Sequence, residues 1–339
     1  MPGTTTRNGA RSSMGGARRR RTRNAVAAAL ALGLALTACS GDEEPEKPAP
    51  APTESSGPLG YDPDAEPAGA VLSLVPGDAV ELRVTDWEQV RLDLAEPDLD
   101  GTSSAAQRRA FARKAAKQAP LMTDGVLRAA DTAYQSGYGF GQDDVAWEAV
   151  FTGPSGDGWI VKFRDGLDMK KVQQAAKAGV GPLGDATVDA GTSVAGVGFA
   201  PSADASWAAD GSAPDLTTQI AAGTLLRRGC LSTSQVYGGA RADQVAAADL
   251  AGLDELDTWA VSLGGDLATV RLGEPRPDAF DRARIADSLP RTKPALDSAL
   301  TDAVADPRSG RIGYVVTDPT AAAELVRDDR LAFALCATT

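Results

Sequence analysis

Two stretches of this chain follow one plan, and that plan narrows the fold more than any other feature. Trp147–Phe151 (WEAVF), a Gly-Pro-Ser-Gly-Asp-Gly turn, Trp159–Phe163 (WIVKF) and a helix opening at Asp168 form the first. Trp259–Leu263 (WAVSL), the turn Gly264-Gly265-Asp266, Ala268–Leu272 (ATVRL) and a helix opening at Asp278 form the second. Each reads as a β-hairpin that feeds a helix, with a tryptophan opening its first strand. In the first helix Met169, Val172 and Ala176 fall on one face, and Gly179 sits where a C-cap belongs. Short helices against antiparallel hairpins predict an α+β fold: two similar lobes of β-hairpins packed with short helices, pointing to an internal duplication.

A second pair of segments matches locally. Val80–Val84 (VELRV) alternates as a strand, and Thr85-Asp86-Trp87-Glu88 fits a capping box with Thr85 as the cap. Ile312–Val316 (IGYVV) also reads as a strand, followed by Asp318 as N-cap and Pro319 at the first helical position.

The N-terminus carries a different signal. Arg18–Arg21 and Arg23 precede Ala25–Ala38, a run with no charge. A basic segment, a short apolar run and small residues at its end describe a secretory signal peptide. The run is shorter than the roughly 20 residues of a membrane-spanning helix. It closes on Leu36-Thr37-Ala38-Cys39, which resembles the lipobox of bacterial lipoproteins. The resemblance implies a diacylglyceryl group on the Cys39 thiol, cleavage before Cys39, and acyl-anchored (palmitate-type) residence on the extracytoplasmic face of the cell membrane. Arginine far outnumbers lysine, and alanine and glycine abound, a bias similar to that of actinobacterial lipoproteins. Met14 is a second candidate start, and Arg20-Arg21 lacks the hydrophobic residue of a twin-arginine signal, which favours general secretion.

These signals predict a signal peptide over 1–38 and a disordered Pro/Gly/acid-rich tether over 39–69. A first lobe is expected over 70–205 and a second over 206–339, joined through 201–215. Trp207 in that polar connection is the tryptophan to check for exposure. The other four, at element starts, read as core anchors.

Removing the first 38 residues leaves 27 basic against 46 acidic groups, a net charge near −19. Such a chain repels nucleic acid and anionic lipid headgroups, so neither is a default partner. There is no histidine, which removes the commonest general base, the commonest metal ligand and every Ser-His or Cys-His pair. Once Cys39 is assigned to lipid, Cys230 and Cys336 remain as an even pair in an oxidising compartment, and a disulfide between them is expected.

Four constellations offer chemistry. Glu96-Pro-Asp98-Leu-Asp100-Gly101, with Gln107 at the twelfth place, partly resembles a calcium-binding EF-hand loop. Glu96 at its first place and neutral Gln107 at its last argue against an ion, so no metal is expected. Residues 103–118 predict a basic amphipathic helix on which Arg109, Arg113, Lys114 and Lys117 form a ligand or anion patch, or else a solvated face. Tyr134–Gly141 mixes aromatics and glycine, as a stacking site or as a helix cap at Gly137. Asp143, Asp144 and Glu148 are the carboxylates a histidine-free envelope hydrolase would need.

Standard catalytic signatures are absent. The sequence favours a membrane-anchored lipoprotein with a non-enzymatic binding ectodomain, no cofactor, and an envelope component or protein as partner. A solute- or lipid-binding carrier lipoprotein is the alternative, and a carboxylate hydrolase the third reading.

Overall fold

The computed structural model describes residues 60–239, 245, 250–288 and 298–337, so the signal segment, Cys39 and the tether up to residue 59 lie outside the described residues. The strands are β1 (Glu81–Asp86), β2 (Val145–Thr152), β3 (Gly158–Phe163), β4 (Thr187–Asp189), β5 (Val194–Val197), β6 (Gly223–Arg228), β7 (Thr258–Gly264), β8 (Leu267–Arg271), β9 (Leu300–Asp306) and β10 (Arg311–Val316). They form one ten-stranded antiparallel sheet in the order β4-β5-β3-β2-β1-β6-β7-β8-β10-β9. The described helices are α1 (Pro67–Ala70), α2 (Trp87–Asp93), α3 (Ala105–Gln118), α4 (Asp131–Tyr138), α5 (Met169–Lys177), α6 (Ala213–Leu216), α7 (Thr233–Tyr237), α8 (Ala279–Ser288) and α9 (Pro319–Arg327). The fold is α+β.

Side-chain alternation sorts the core into layers. Leu82 and Val84 of β1, Trp147 and Ala149 of β2, and Leu226 of β6 face the segment 61–75 and α6. Val145, Val161, Phe163 and Ala195 face α2 to α5 on the opposite side of the N-terminal strands. Trp259, Val261 and Leu263 of β7, with Ile312 and Tyr314 of β10, pack against α8, α9 and the C-terminal segment.

Both Trp-opened hairpins form, as β2–β3 and β7–β8. The second turns through two residues with Gly265 at φ +60°, a conformation glycine adopts without the steric cost of a Cβ. Asp168 caps α5 by accepting from the Lys170 amide, and Gly179 at φ +70° ends it. There the Val180 amide donates to Ala175 and the Gly179 amide to Ala176, a Schellman closure. Asp318 caps α9 with Pro319 in its first turn, as its sequence implies.

Three local readings change. The cap of α2 is Asp86, whose carboxylate accepts from the Gln89 amide; Thr85 stays in β1. The Thr85 hydroxyl is needed inward, where it accepts from the amides of Met122 and Thr123. Helix α4 runs through Gly137 and ends at Gly139, which takes the left-handed conformation at φ +72°. Residues 60–69, read as tether, are packed: Tyr61 and Ala68 are buried, and α1 contributes to the core.

The connection 201–215 is equally structural. Trp207 is fully buried, its indole N–H donates to the Ala79 carbonyl at 2.9 Å, and the Arg228 guanidinium lies over its ring at 4.9 Å. The two halves meet at β1 and β6, paired from Glu81↔Arg227 to Thr85↔Gly223, so one sheet runs through both.

Candidate functional site

Helix α3 starts at a full capping box. The Ser104 hydroxyl accepts from the Gln107 amide and the Gln107 side chain accepts from the Ser104 amide. Phe111 and Ala115 anchor its inner face. Of its five cations, two are turned back into the fold. Arg108 donates to the carbonyls of Gly101 and Ser103 and lies 3.5 Å from the Asp143 carboxylate, and Lys114 donates to the Leu94 carbonyl. Lys114 therefore leaves the expected patch. Arg109, Arg113 and Lys117, at successive i, i+4 positions, are exposed, and among the described residues no carboxylate pairs with them.

Other arginines do find carboxylates, although Arg308 and Arg311 are also exposed without one among the described residues. Arg83 and Arg227 engage Glu81, Arg164 engages Glu88, Arg228 engages Asp210, and Arg276 and Arg282 engage Asp278. Helix α5 forms where its sequence implies, but its cations are not part of the expected patch. Its Lys170, Lys171 and Lys177 stand in the same layer, and α3 to α5 together carry eight basic residues against the single acid Asp131. Five of the chain's eight lysines lie on α3 and α5, a clustering visible in the sequence. Helices α8 and α9 are balanced, with three acids and three bases.

The carboxylates point inward. Glu148, on the helical face of β2 opposite Thr85, is fully buried. It accepts from the Thr123 hydroxyl, the amides of Gly125 and Val126, and the Gln142 side chain at 2.8 Å. Asp144 accepts from the amides of Gly101 at 2.9 Å and Gly141 at 2.8 Å. Asp143 faces Arg108, and burial, with Asp131 nearby, pushes its carboxyl up to about 6. Burial likewise raises Asp86 to about 6, against its cap hydrogen bonds. Glu148 and Asp144 thus serve as loop anchors held by backbone amides, while Asp143 has only Arg108 beside it, at 3.5 Å.

The loop resembling a calcium site is organised by side chains instead. Asp100 accepts from the Thr102 hydroxyl and from the amides of Thr102 and Ser103. Arg164 donates to the carbonyls of Leu99 and Pro97, which fastens the loop to the residue after β3. Tyr134 and Phe140, in the glycine–aromatic run, are buried and stacked at 5.2 Å, with the Tyr134 hydroxyl donating to Val180. They are core.

Cys230 and Cys336 are bonded to each other, with Cα atoms 5.8 Å apart. Glu255 lies beside the pair, 3.2 Å from the Cys230 sulfur, but with both sulfurs in the bridge neither thiolate is available to a metal. The segment carrying Cys336 is also clamped by fully buried Arg282, which donates to the Phe333 and Leu335 carbonyls at 2.7 Å each. Arg91 does the same near the candidate patch, reaching the carbonyls of Asp143 at 2.7 Å and Val145 at 2.8 Å.

No family model matches the chain, and comparison with curated proteins and with solved structures likewise finds no match.

Proposed function

We propose that this chain is an extracytoplasmic lipoprotein of the cell membrane whose ectodomain acts by binding rather than by catalysis. The observation that carries it is Leu36-Thr37-Ala38-Cys39 directly after an arginine cluster and a charge-free run. Two acyl chains give stable anchoring where one gives marginal binding, because each buried methylene contributes about 0.8 kcal/mol. The Cys230–Cys336 bridge suits an oxidising compartment and leaves Cys39 outside the pair. The binding reading is supported by Glu148 and Asp144, which are spent on backbone amides, and by Arg109, Arg113 and Lys117, which meet no carboxylate among the described residues. The partner is an envelope component or protein.

We also infer that the two halves descend from one duplicated unit. Reading outward from the central pair, one half runs β1-β2-β3-β5-β4 and the other β6-β7-β8-β10-β9, so each strand has a counterpart five places on. The Trp-opened hairpins are counterparts in this scheme. The local likeness between β1 and β10 is not, because those strands hold different places and share only a Val-Thr-Asp cap sequence.

Replacing Cys39 with alanine tests the anchor. The variant is expected in the soluble fraction while the wild-type chain sediments with membranes and takes up labelled fatty acid. Full membrane retention of the variant refutes lipidation.

A further inference from the structure

We propose that the helical face of the N-terminal half, centred on Arg109, Arg113 and Lys117 of α3 and extended by the lysines of α5, docks on the anionic phospholipid surface of the membrane to which the chain is tethered. The proposal rests on the lipoprotein reading for its setting, but its own basis is geometric.

The first element is charge segregation. A mature chain near −19 concentrates eight basic residues against one acid on α3 to α5. Arg109, Arg113 and Lys117 align along the outer stripe of one 14-residue helix, free of carboxylate partners among the described residues. A row of cations on the side of a helix, backed by a rigid core through Phe111 and Ala115, matches a planar array of phosphates. Asp93, Glu96 and Asp98, exposed at and after the end of α2 in the same layer, make no ion pair with the stripe, and the acids beyond the sheet do not cancel it. A helix is about 10–12 Å across, and the screening length at physiological salt is about 8 Å, so charges on the far side of the sheet contribute little at the contact.

The second element is where the chain enters the fold. Tyr61 packs beside Trp147 near the start of β2, with Asp165 just beyond the end of β3. Those two strand ends are adjacent, since Val145 pairs with Phe163. The first turn of α3 lies at that same end, where Arg108 meets Asp143 immediately before β2. Tyr61 and the first turn of α3 therefore lie at one end of the sheet, on opposite faces of it, so an anchored body brings this helix to the bilayer by rounding that end. An anionic bilayer attracts about 1 kcal/mol per nearby Lys or Arg, about five-fold per charge, and anchoring supplies the high local concentration that makes such a weak surface effective.

The test is vesicle co-sedimentation of the full mature chain carrying Cys39→Ser, which removes the acylation site so that only the protein surface binds. Vesicles are neutral phosphatidylcholine, or the same lipid with about a third phosphatidylglycerol. The expected result is binding to the anionic vesicles alone, lost at 0.5 M salt. Arg109→Gln/Arg113→Gln/Lys117→Gln should lower partitioning on the order of a hundredfold. Arg308→Gln/Arg311→Gln, exposed charges on the opposite half, should leave it unchanged. Equal binding to both vesicle types, or an unaltered triple variant, overturns the proposal. So does binding to soluble polyphosphate with none to vesicles, which would assign the surface to a polymer. The salt and composition arms use the unsubstituted surface, so they hold whatever the triple variant does to folding. Failure here leaves lipidation of Cys39 standing, because that is read separately by release of the Cys39→Ala chain.

Discussion

Asp143 gives the sharpest check on the buried polar layer. The residue is 6% exposed, its carboxyl is raised to about 6 chiefly by burial, and it meets Arg108 only at 3.5 Å. An unfolded aspartate titrates near 3.9. Between about pH 4 and 6 the folded chain therefore holds a proton at Asp143 that the unfolded chain has lost. The group's contribution is fully present below about pH 4 and is lost as pH rises through 6. Two pKa units correspond to about 2.7 kcal/mol. Asp143→Asn keeps the shape and resembles the protonated acid, so the variant's stability relative to wild type should improve by about 2–3 kcal/mol from pH 4 to pH 7.5. Urea unfolding at both pH values, followed by tryptophan fluorescence, reads the difference, because Trp87 and Trp147 are buried close to this loop. Comparing the two pH values cancels any constant cost of the amide, including a changed contact with Arg108. A gap between the two proteins that stays flat, or that moves against the variant as pH rises, would refute the claim that burial dominates at this carboxyl.

Two further outcomes follow from the same contacts. Cys230→Ser/Cys336→Ser opens a link spanning 106 residues, worth about 4–5 kcal/mol in the chain-entropy model; the unfolding midpoint should fall accordingly, and reduction of the wild type should reproduce the fall. Glu148→Ala strips the acceptor from two amides, a hydroxyl and a carboxamide under the 123–126 loop, and with each stranded donor costing about 1–3 kcal/mol it should cost at least 3 kcal/mol in urea unfolding.

The legible parts of this fold were those written in local pattern. The two Trp-opened hairpins, the caps at Asp168 and Asp318 and the Gly179 stop need only neighbouring residues, and each formed where its pattern lies. Strand β6 was invisible because Gly223–Arg228 (GTLLRR) is buried on both faces at its centre, Leu225 toward one core and Leu226 toward the other, so no alternation appears. Thr85 misled for the opposite reason. Its capping pattern was good, but the long-range demand of the 122–123 amides outweighed it, and the adjacent Asp86 could cap in its place. Of the expected patch, Arg109, Arg113 and Lys117 kept their exposure; Lys114 did not, because the Leu94 carbonyl lies within its reach.

The same distinction explains why two units of similar plan share one sheet. A hairpin–helix unit leaves its first strand as an unpaired edge, a template for indiscriminate pairing. Here each half supplies that edge to the other, β1 to β6, and the seam is tied further by Glu81 with Arg227 and by Arg227 with Asp329 at 2.7 Å. Trp207, in the crossing between halves, donates to Ala79 before β1 and stacks on Arg228 at the end of β6, so the connection itself fastens the seam. The edges that remain are poor templates. Strand β4 is three residues long, and β9 carries Asp302, at φ +53°, and Asp306 along an irregular register with β10. A chain cut between the halves would bare β1 and β6, whose central residues Leu82, Val84, Leu225 and Leu226 are fully buried or nearly so. The pairing that makes the halves alike is therefore also what makes them interdependent.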